Sequence, residues 1–169
     1  MNFTFVPATE TDLPLILSLL KETAEAIQKK GLQQWKVWLS PQKEQTDWIS
    51  NGLKNHEFYF VINTAGQQAG LFRLSNHDEL YWGKQEDQAM YLHSLLVRKE
   101  FSGQNAGTAI IKQIEQDMLS KNIPVLRLDC HSENKWLCNY YESLGFVKAG
   151  QKQMPQSLNN LYQKTLIQL

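Results

Sequence analysis

The chain has 169 residues, of which 42% are hydrophobic and 20% charged, and its seventeen basic side chains balance seventeen acidic ones. This size and composition suit one compact domain over residues 1–169 and exclude a disordered or fibrous chain. A net charge of zero offers no field to gather nucleic acid or an anionic membrane, and neither a leader-like start nor a run of about 18 apolar residues occurs, so a cytoplasmic protein without those partners is expected.

FTFVPAT alternates apolar residues as a first strand would. TDLPLILSLLKETAEAIQKKG then keeps helical period up to Gly31, with Thr11 or Asp12 as the N-cap. A second helix is predicted from Ser40 and Pro41 through SPQKEQTDWISNGLKN. EFYFVINTAGQQAGLFRLS reads as two strands turning near Ala65 and Gly66, and NHDELYWGKQEDQ as an irregular polar segment. MYLHSLLV is a short apolar strand. KEFSGQNAG connects it to TAIIKQIEQDMLSKN, where Ile110, Ile111, Ile114 and Met118 return to helical spacing. IPVLRLDCH is a further strand, SENKWLCNYYESLG a helix ending at Gly145, and FVKAGQKQ with LYQKTLIQL two closing strands.

The strand, glycine-containing loop and helix around residue 100 carry the chemistry. A helix N-terminus presents backbone N–H groups with no acceptor inside the helix, together with the positive end of the helix dipole; small residues let a phosphate approach them. Gly103, Gln104, Asn105, Ala106, Gly107 and Thr108 meet that need. Asn105 and Gly107 are suited to positive φ, and Thr108 adds a hydroxyl. The loop lacks the Gly-Lys-Ser/Thr of a P-loop and the full Gly-x-Gly-x-x-Gly of a dinucleotide fold.

Taken together, YLHSLLVRKEFSGQNAGTAIIKQIE and NKWLCNYYESLGF resemble the two signature regions of the GNAT superfamily of N-acetyltransferases. The first is similar to its apolar strand, Gln/Arg-x-x-Gly-x-Gly/Ala pyrophosphate loop and following helix. The second is similar to its Asn and Tyr-x-x-x-Gly-Phe segment. Two positions depart from the pattern: Ser102 stands where the family usually has Gln or Arg, and Asn105 replaces the first loop glycine. The resemblance implies an α/β fold, with a central, mostly antiparallel sheet of six to seven strands flanked by about four helices. It also implies acetyl-CoA as acyl donor and a small-molecule amine or peptide N-terminus as acceptor, and it permits a homodimer; no metal is expected, because His93, Cys130, His131 and Cys138 show no compact ligand spacing. Carried onto this chain, it implies that main-chain groups of Leu95, Leu96 and Val97 pair with the pantetheine arm, that Gly103 through Thr108 hold the pyrophosphate, that Asn134 lies near the pantetheine, and that Tyr141 lies near the sulfur.

An amine with pKa near 10 reaches the site as ammonium and has no lone pair until a proton leaves. His93 is the first candidate base, because period-two alternation puts it on one face with Tyr91, Leu95 and Val97. Asp129 and a water relay are its rivals, and a purely hydrogen-bonded structural His93 is the plain alternative. A backbone N–H near Leu95 would stabilise the oxyanion, and Tyr141 would protonate the leaving thiolate. Trp35, Trp38 and Trp48 are candidates either for an aromatic acceptor groove or for core packing. Glu79, Glu86 and Asp87 are candidates for attracting an amine or for a solvated face. Two other readings are a catalytically weak acyl-CoA-binding module, suggested by Ser102 and Asn105, and a hydrolase using Cys130 beside His131. The bland reading of Cys130 and Cys138 is a pair of buried, reduced thiols.

Overall fold

The computed structural model describes residues 2–166. In chain order it contains β1 (Phe3–Pro7), α1 (Leu13–Lys29), α2 (Lys43–Lys54), β2 (Phe58–Asn63), β3 (Gln68–Ser75), the one-turn helix α3 (Glu79–Trp82), β4 (Ala89–Val97), α4 (Ala106–Ser120), β5 (Val125–His131), α5 (Lys135–Ser143), β6 (Val147–Met154) and β7 (Ser157–Thr165). The strands form a seven-stranded mixed sheet in the order β1-β2-β3-β4-β5-β7-β6. Pairing is parallel between β4 and β5 and antiparallel for β1–β2, β2–β3, β5–β7 and β6–β7. This is the α/β, mostly antiparallel architecture expected. The segment predicted to be irregular contains a fifth helix, α3, and the strand predicted over residues 161–169 begins earlier, at Ser157; its residues 167–169 lie outside the described region. No helix among the described residues is long and apolar enough to cross a membrane.

The chain groups into two compact units, Met1–Arg73 with Ser94–Ala109 and Leu74–His93 with Ile110–Leu169. In the first unit, Ile16, Leu19, Leu20 and Ala24 on α1 and Ile49 and Leu53 on α2 form a buried cluster with Phe58, Phe60, Leu71 and Leu96. The helical i, i+3, i+4 spacing of these residues and the alternation of the strands direct them inward. Trp38 joins this core, and Trp35 and Trp48 pack against it. Arg73 lies over the Trp48 ring at 4.0 Å and donates to Glu57 from Nε at 2.9 Å and from Nη2 at 2.6 Å, both side chains being buried. The core-packing alternative thus describes Trp38 and Trp48. Gly70 on β3 permits close strand approach: a Cβ there would stand 2.3 Å from the Leu96 carbonyl oxygen.

In the second unit, β5 lies between the start of β4 and β7. Ile110, Ile111, Ile114 and Met118 of α4 and Cys138 and Tyr141 of α5 are buried. Lys164 on β7 donates to both carboxylate oxygens of Glu115 on α4, at 2.7 and 2.9 Å. Helix α5 stops where Gly145 takes φ +88, as the sequence predicted.

Candidate active site

Within the first unit, the connection from β4 to α4 turns on two left-handed residues, Gly103 at φ +77 and Asn105 at φ +59. The helix then begins at Ala106, and the Ala109 N–H makes an α-helical hydrogen bond to the Asn105 carbonyl at 3.0 Å. The amides of Ala106, Gly107 and Thr108 therefore belong to the first helical turn, the end of a helix that favours anions. Ser102, Gly103, Gln104 and Asn105 are exposed. Asn105 replaces the family glycine without losing the conformation, since asparagine tolerates the left-handed region better than most residues. Gly107 departs from the sequence expectation: it is not among the positive-φ residues but lies inside the helix, because the reversal is completed two residues earlier.

The β4 backbone changes course at Ser94, which has φ +52 in the middle of the strand. A non-glycine residue in that region costs roughly 1 kcal/mol or more and breaks strict alternation. The expected single face of Tyr91, His93, Leu95 and Val97 is therefore interrupted: His93 precedes the break, while Leu95, Leu96 and Val97 come after it. Leu96 is buried, Leu95 and Val97 are half-buried, and the Arg98 N–H donates to the Ala69 carbonyl.

In the second unit, the parallel ladder of β4 and β5 runs from Ala89↔Val125 to Tyr91↔Arg127. Side chains two residues apart share a face, so Tyr91 and His93 on β4 stand beside Arg127 and Asp129 on β5. The first pair is structural: Arg127 donates to the Tyr91 hydroxyl at 2.9 Å and to both oxygens of Asp87 at 2.9 and 2.7 Å, and its guanidinium lies 5.0 Å from the Trp82 ring centre. Asp87, a candidate for attracting an amine, is thereby committed to Arg127. The second pair forms a polar cluster with Asp78, whose Oδ2 is 3.9 Å from His93 Nε2. Asp78, His93 and Asp129 each offer one atom within 4.8 Å of the others. Asp78 is placed by local chemistry: it is the N-cap of α3, its Oδ1 accepting from the Tyr81 N–H at 3.2 Å. This residue escaped the sequence reading, which singled out the neighbouring Glu79. An Asp ahead of the apolar triplet Leu80, Tyr81 and Trp82 was the available sign of a capped turn.

Burial is the main cause that lifts the Asp129 carboxyl to about 7; the hydrogen bond from Asn159 Nδ2, at 2.6 Å, opposes it, and the Asp78 charge adds to it. Tyr81 is raised as well, by burial first and then by Asp129 and Asp78. Tyr141, on α5, is 9% exposed and packs edge-on against Phe146 with ring centres 5.8 Å apart. Burial raises its hydroxyl above the usual tyrosine value, followed by the influence of Cys130, Tyr140 and Asp129, so it stays a neutral phenol at physiological pH. Tyr140 instead stacks on the exposed Trp136, with ring centres 5.5 Å apart. Asn134 is buried and caps α5, its Oδ1 accepting from the Leu137 N–H at 3.1 Å.

Cys130 and Cys138 are both buried, their sulfurs 3.7 Å apart, and Asn160 Nδ2 lies 3.4 Å from Cys138 Sγ. Burial pushes the Cys130 thiol well up, and the neighbouring Cys138 adds to this. A thiol held protonated is a poor nucleophile, which opposes the hydrolase reading and fits the reduced, buried one.

Comparison with known proteins agrees with the fold. The acetyltransferase (GNAT) family model matches residues 20–146. An uncharacterized N-acetyltransferase of Bacillus subtilis (strain 168), YesJ, is 29% identical over 154 residues, covering 88% of this chain and 84% of the relative. Among solved structures, a GNAT-family acetyltransferase from Listeria monocytogenes is 28% identical with a TM-score of 0.79, covering 97% of this chain and 95% of the other. The PaiA N-acetyltransferase from Thermoplasma acidophilum, solved with coenzyme A, shares the fold at 16% identity and a TM-score of 0.69, with 98% and 99% covered. The chain belongs to the GNAT family and is an acyl-CoA-dependent N-acetyltransferase.

Proposed function

We propose that the chain, working as one catalytic domain, transfers the acetyl group of acetyl-CoA to a primary amine by direct attack in a ternary complex. The observation that supports this reading is the parallel β4–β5 register, beside which His93 and Asp129 are neighbours. The amine loses its proton to that pair, and its nitrogen attacks the thioester carbon. The carbon–sulfur bond then breaks, the departing thiolate takes the proton of the Tyr141 phenol, and the second proton on the attacking nitrogen passes to the Tyr141 oxygen, leaving a neutral amide, the free thiol of coenzyme A and a neutral tyrosine. Asp129, titrating about 7, and His93, whose ordinary pKa is about 6.5, are both suited to accept a proton at neutral pH.

For the donor, main-chain groups of Leu95, Leu96 and Val97 pair with the pantetheine amides, and a backbone N–H near Leu95 faces the developing oxyanion. Gly103, Gln104, Asn105, Ala106, Gly107 and Thr108 hold the pyrophosphate, supported by the left-handed turn at Gly103 and Asn105 and the helix start at Ala106. Asn134 lies near the pantetheine while keeping its capping bond. The acceptor is a small-molecule amine or a peptide N-terminus.

Titration calorimetry with coenzyme A and initial-rate kinetics with an amine panel test this reading. Saturable coenzyme A binding, weakened about tenfold or more by Gly103→Val, and intersecting double-reciprocal plots are expected. Parallel plots would point to an acyl-enzyme and overturn direct attack.

A further inference from the structure

His93 and Asp129 stand just past the end of the ladder that aligns them. The register of β4 with β5 runs from Ala89↔Val125 to Tyr91↔Arg127, and His93 and Asp129 each come two residues later. On its other side β5 is paired with β7 from Val125↔Thr165 to His131↔Asn159, and Asn159 donates to Asp129 at 2.6 Å. Asp129 is thus held from β7, whereas the place of His93 beside it depends on how firmly β4 is fixed at Tyr91. A slip of one residue there would carry His93 to the opposite face.

That last pair is cross-linked by side chains. The buried Arg127 guanidinium donates from Nη1 to the Tyr91 hydroxyl and to Asp87 Oδ1, both at 2.9 Å, from Nη2 to Asp87 Oδ2 at 2.7 Å, and from Nε to Gln163 of β7 at 3.4 Å. Two parallel charge-assisted bonds fix the orientation of a guanidinium as well as its position. Asp87 lies two residues ahead of the start of β4 at Ala89, so the same bonds pin the entry of that strand. Trp82 covers the tie, its ring 5.0 Å from the guanidinium and 6.2 Å from the Tyr91 ring. Asp78, the other carboxylate beside His93, is placed by its own bond from the Tyr81 N–H.

We infer that Asp87 is a positioning residue for the proton-accepting pair: acting through Arg127 and Tyr91, it fixes the end of the β4–β5 ladder and so holds His93 beside Asp129. Asp87 lies outside both motif regions, in a loop that the family signature does not describe. The inference rests on the acetyl-transfer reading for the role of the pair, while the alignment itself belongs to the resting protein.

The test reads the alignment without turnover. Protein labelled with ¹³C in its histidine rings, with His93 assigned through His93→Gln, is titrated with acid in the absence of substrates. Asp129→Asn should lower the His93 midpoint by about one pH unit, the scale of a lost carboxylate neighbour. The same replacement made in Tyr91→Phe or in Asp87→Asn protein should lower it by about half of that or less. Asp87→Glu, which keeps the charge, should restore the parent coupling, and Lys84→Ala, an exposed charge in the same loop, should leave it unchanged. Tyr91→Phe leaves Arg127 on Asp87, so it separates lost alignment from a released cation. Undiminished coupling in both variants, a loss confined to Asp87→Asn, or no coupling in the parent overturns the role. In turnover, Tyr91→Phe should lower kcat about tenfold with the KM for acetyl-CoA unchanged, as a displaced proton acceptor would; an unchanged kcat overturns the role as well. Absence of thiol release from acetyl-CoA by the unmodified enzyme with every amine would defeat the transfer reading and leave the His93–Asp129 coupling to be judged by the titration.

Discussion

At the level of single residues, catalysis depends on where protons rest. Asp129 titrates about 7 because burial disfavours its charge more than the Asn159 hydrogen bond restores it. His93 is beside it, which is why the proposed proton acceptor is the pair. His93→Gln should lower kcat/KM by about a hundredfold, the usual scale of a lost general base. The acidic limb of its pH profile should survive with a midpoint set by Asp129. A profile and rate identical to those of the parent would leave His93 as a structural side chain. Tyr141→Phe should reduce kcat by at least tenfold with little change in the KM for acetyl-CoA, since the lost hydroxyl acts on the departing thiolate; turnover at the parent rate would refute the acid role.

Among the elements, β4 is the one that the site most depends on. Its first half pairs with β5 and aligns His93 with Asp129, and its turn at Ser94 redirects the second half, Leu95 to Val97. That second half is braced by β3, where Gly70 faces the Leu96 carbonyl. A methyl group at 2.3 Å from a backbone oxygen has no room, so Gly70→Ala must displace a strand. We expect a loss of about 2–3 kcal/mol and a fall in Tm of roughly 5–10 °C, read by thermal unfolding. An unchanged Tm would show that β3 and β4 are less tightly held together than the geometry demands. Helix α3 acts by placement: its capping bond holds Asp78, whose other oxygen lies 3.9 Å from His93 Nε2.

For the molecule as a whole, the buried carboxyl at Asp129 is a cost to folding that depends on pH. Between about pH 4 and pH 7 the folded state keeps a proton on this group that the unfolded chain has released, so its contribution to stability falls as pH rises. The slope is up to about 1.4 kcal/mol per pH unit for one proton. Asp129→Asn should remove that part of the dependence: denaturant unfolding at several pH values should show the variant gaining on the parent as pH rises from 4 to 7, then holding a constant advantage. Parallel stability curves would mean that Asp129 is ionised throughout. The Glu57–Arg73 pair is a separate liability, because leaving either charge buried without the other would cost several kcal/mol.

The order of elements, the loop and helix start at residues 103–108, and the candidacy of His93, Asp129 and Tyr141 were all legible in the amino-acid sequence. These are local matters, set by periodicity, by glycine and asparagine conformations, and by a motif confined to two segments. His93 and Asp129 stayed rivals at that level because strand register is a pairing between distant segments, and a one-residue slip would have put them on opposite faces. Asp78, fifteen residues before His93, went unseen, since nothing local says that a capped turn comes to lie by one particular strand. Likewise the tryptophans read equally well as groove or core until packing placed Trp38 inside. These points were settled by the folded arrangement because burial, register and the grouping of charges are properties of segments brought together, and no window of sequence contains them.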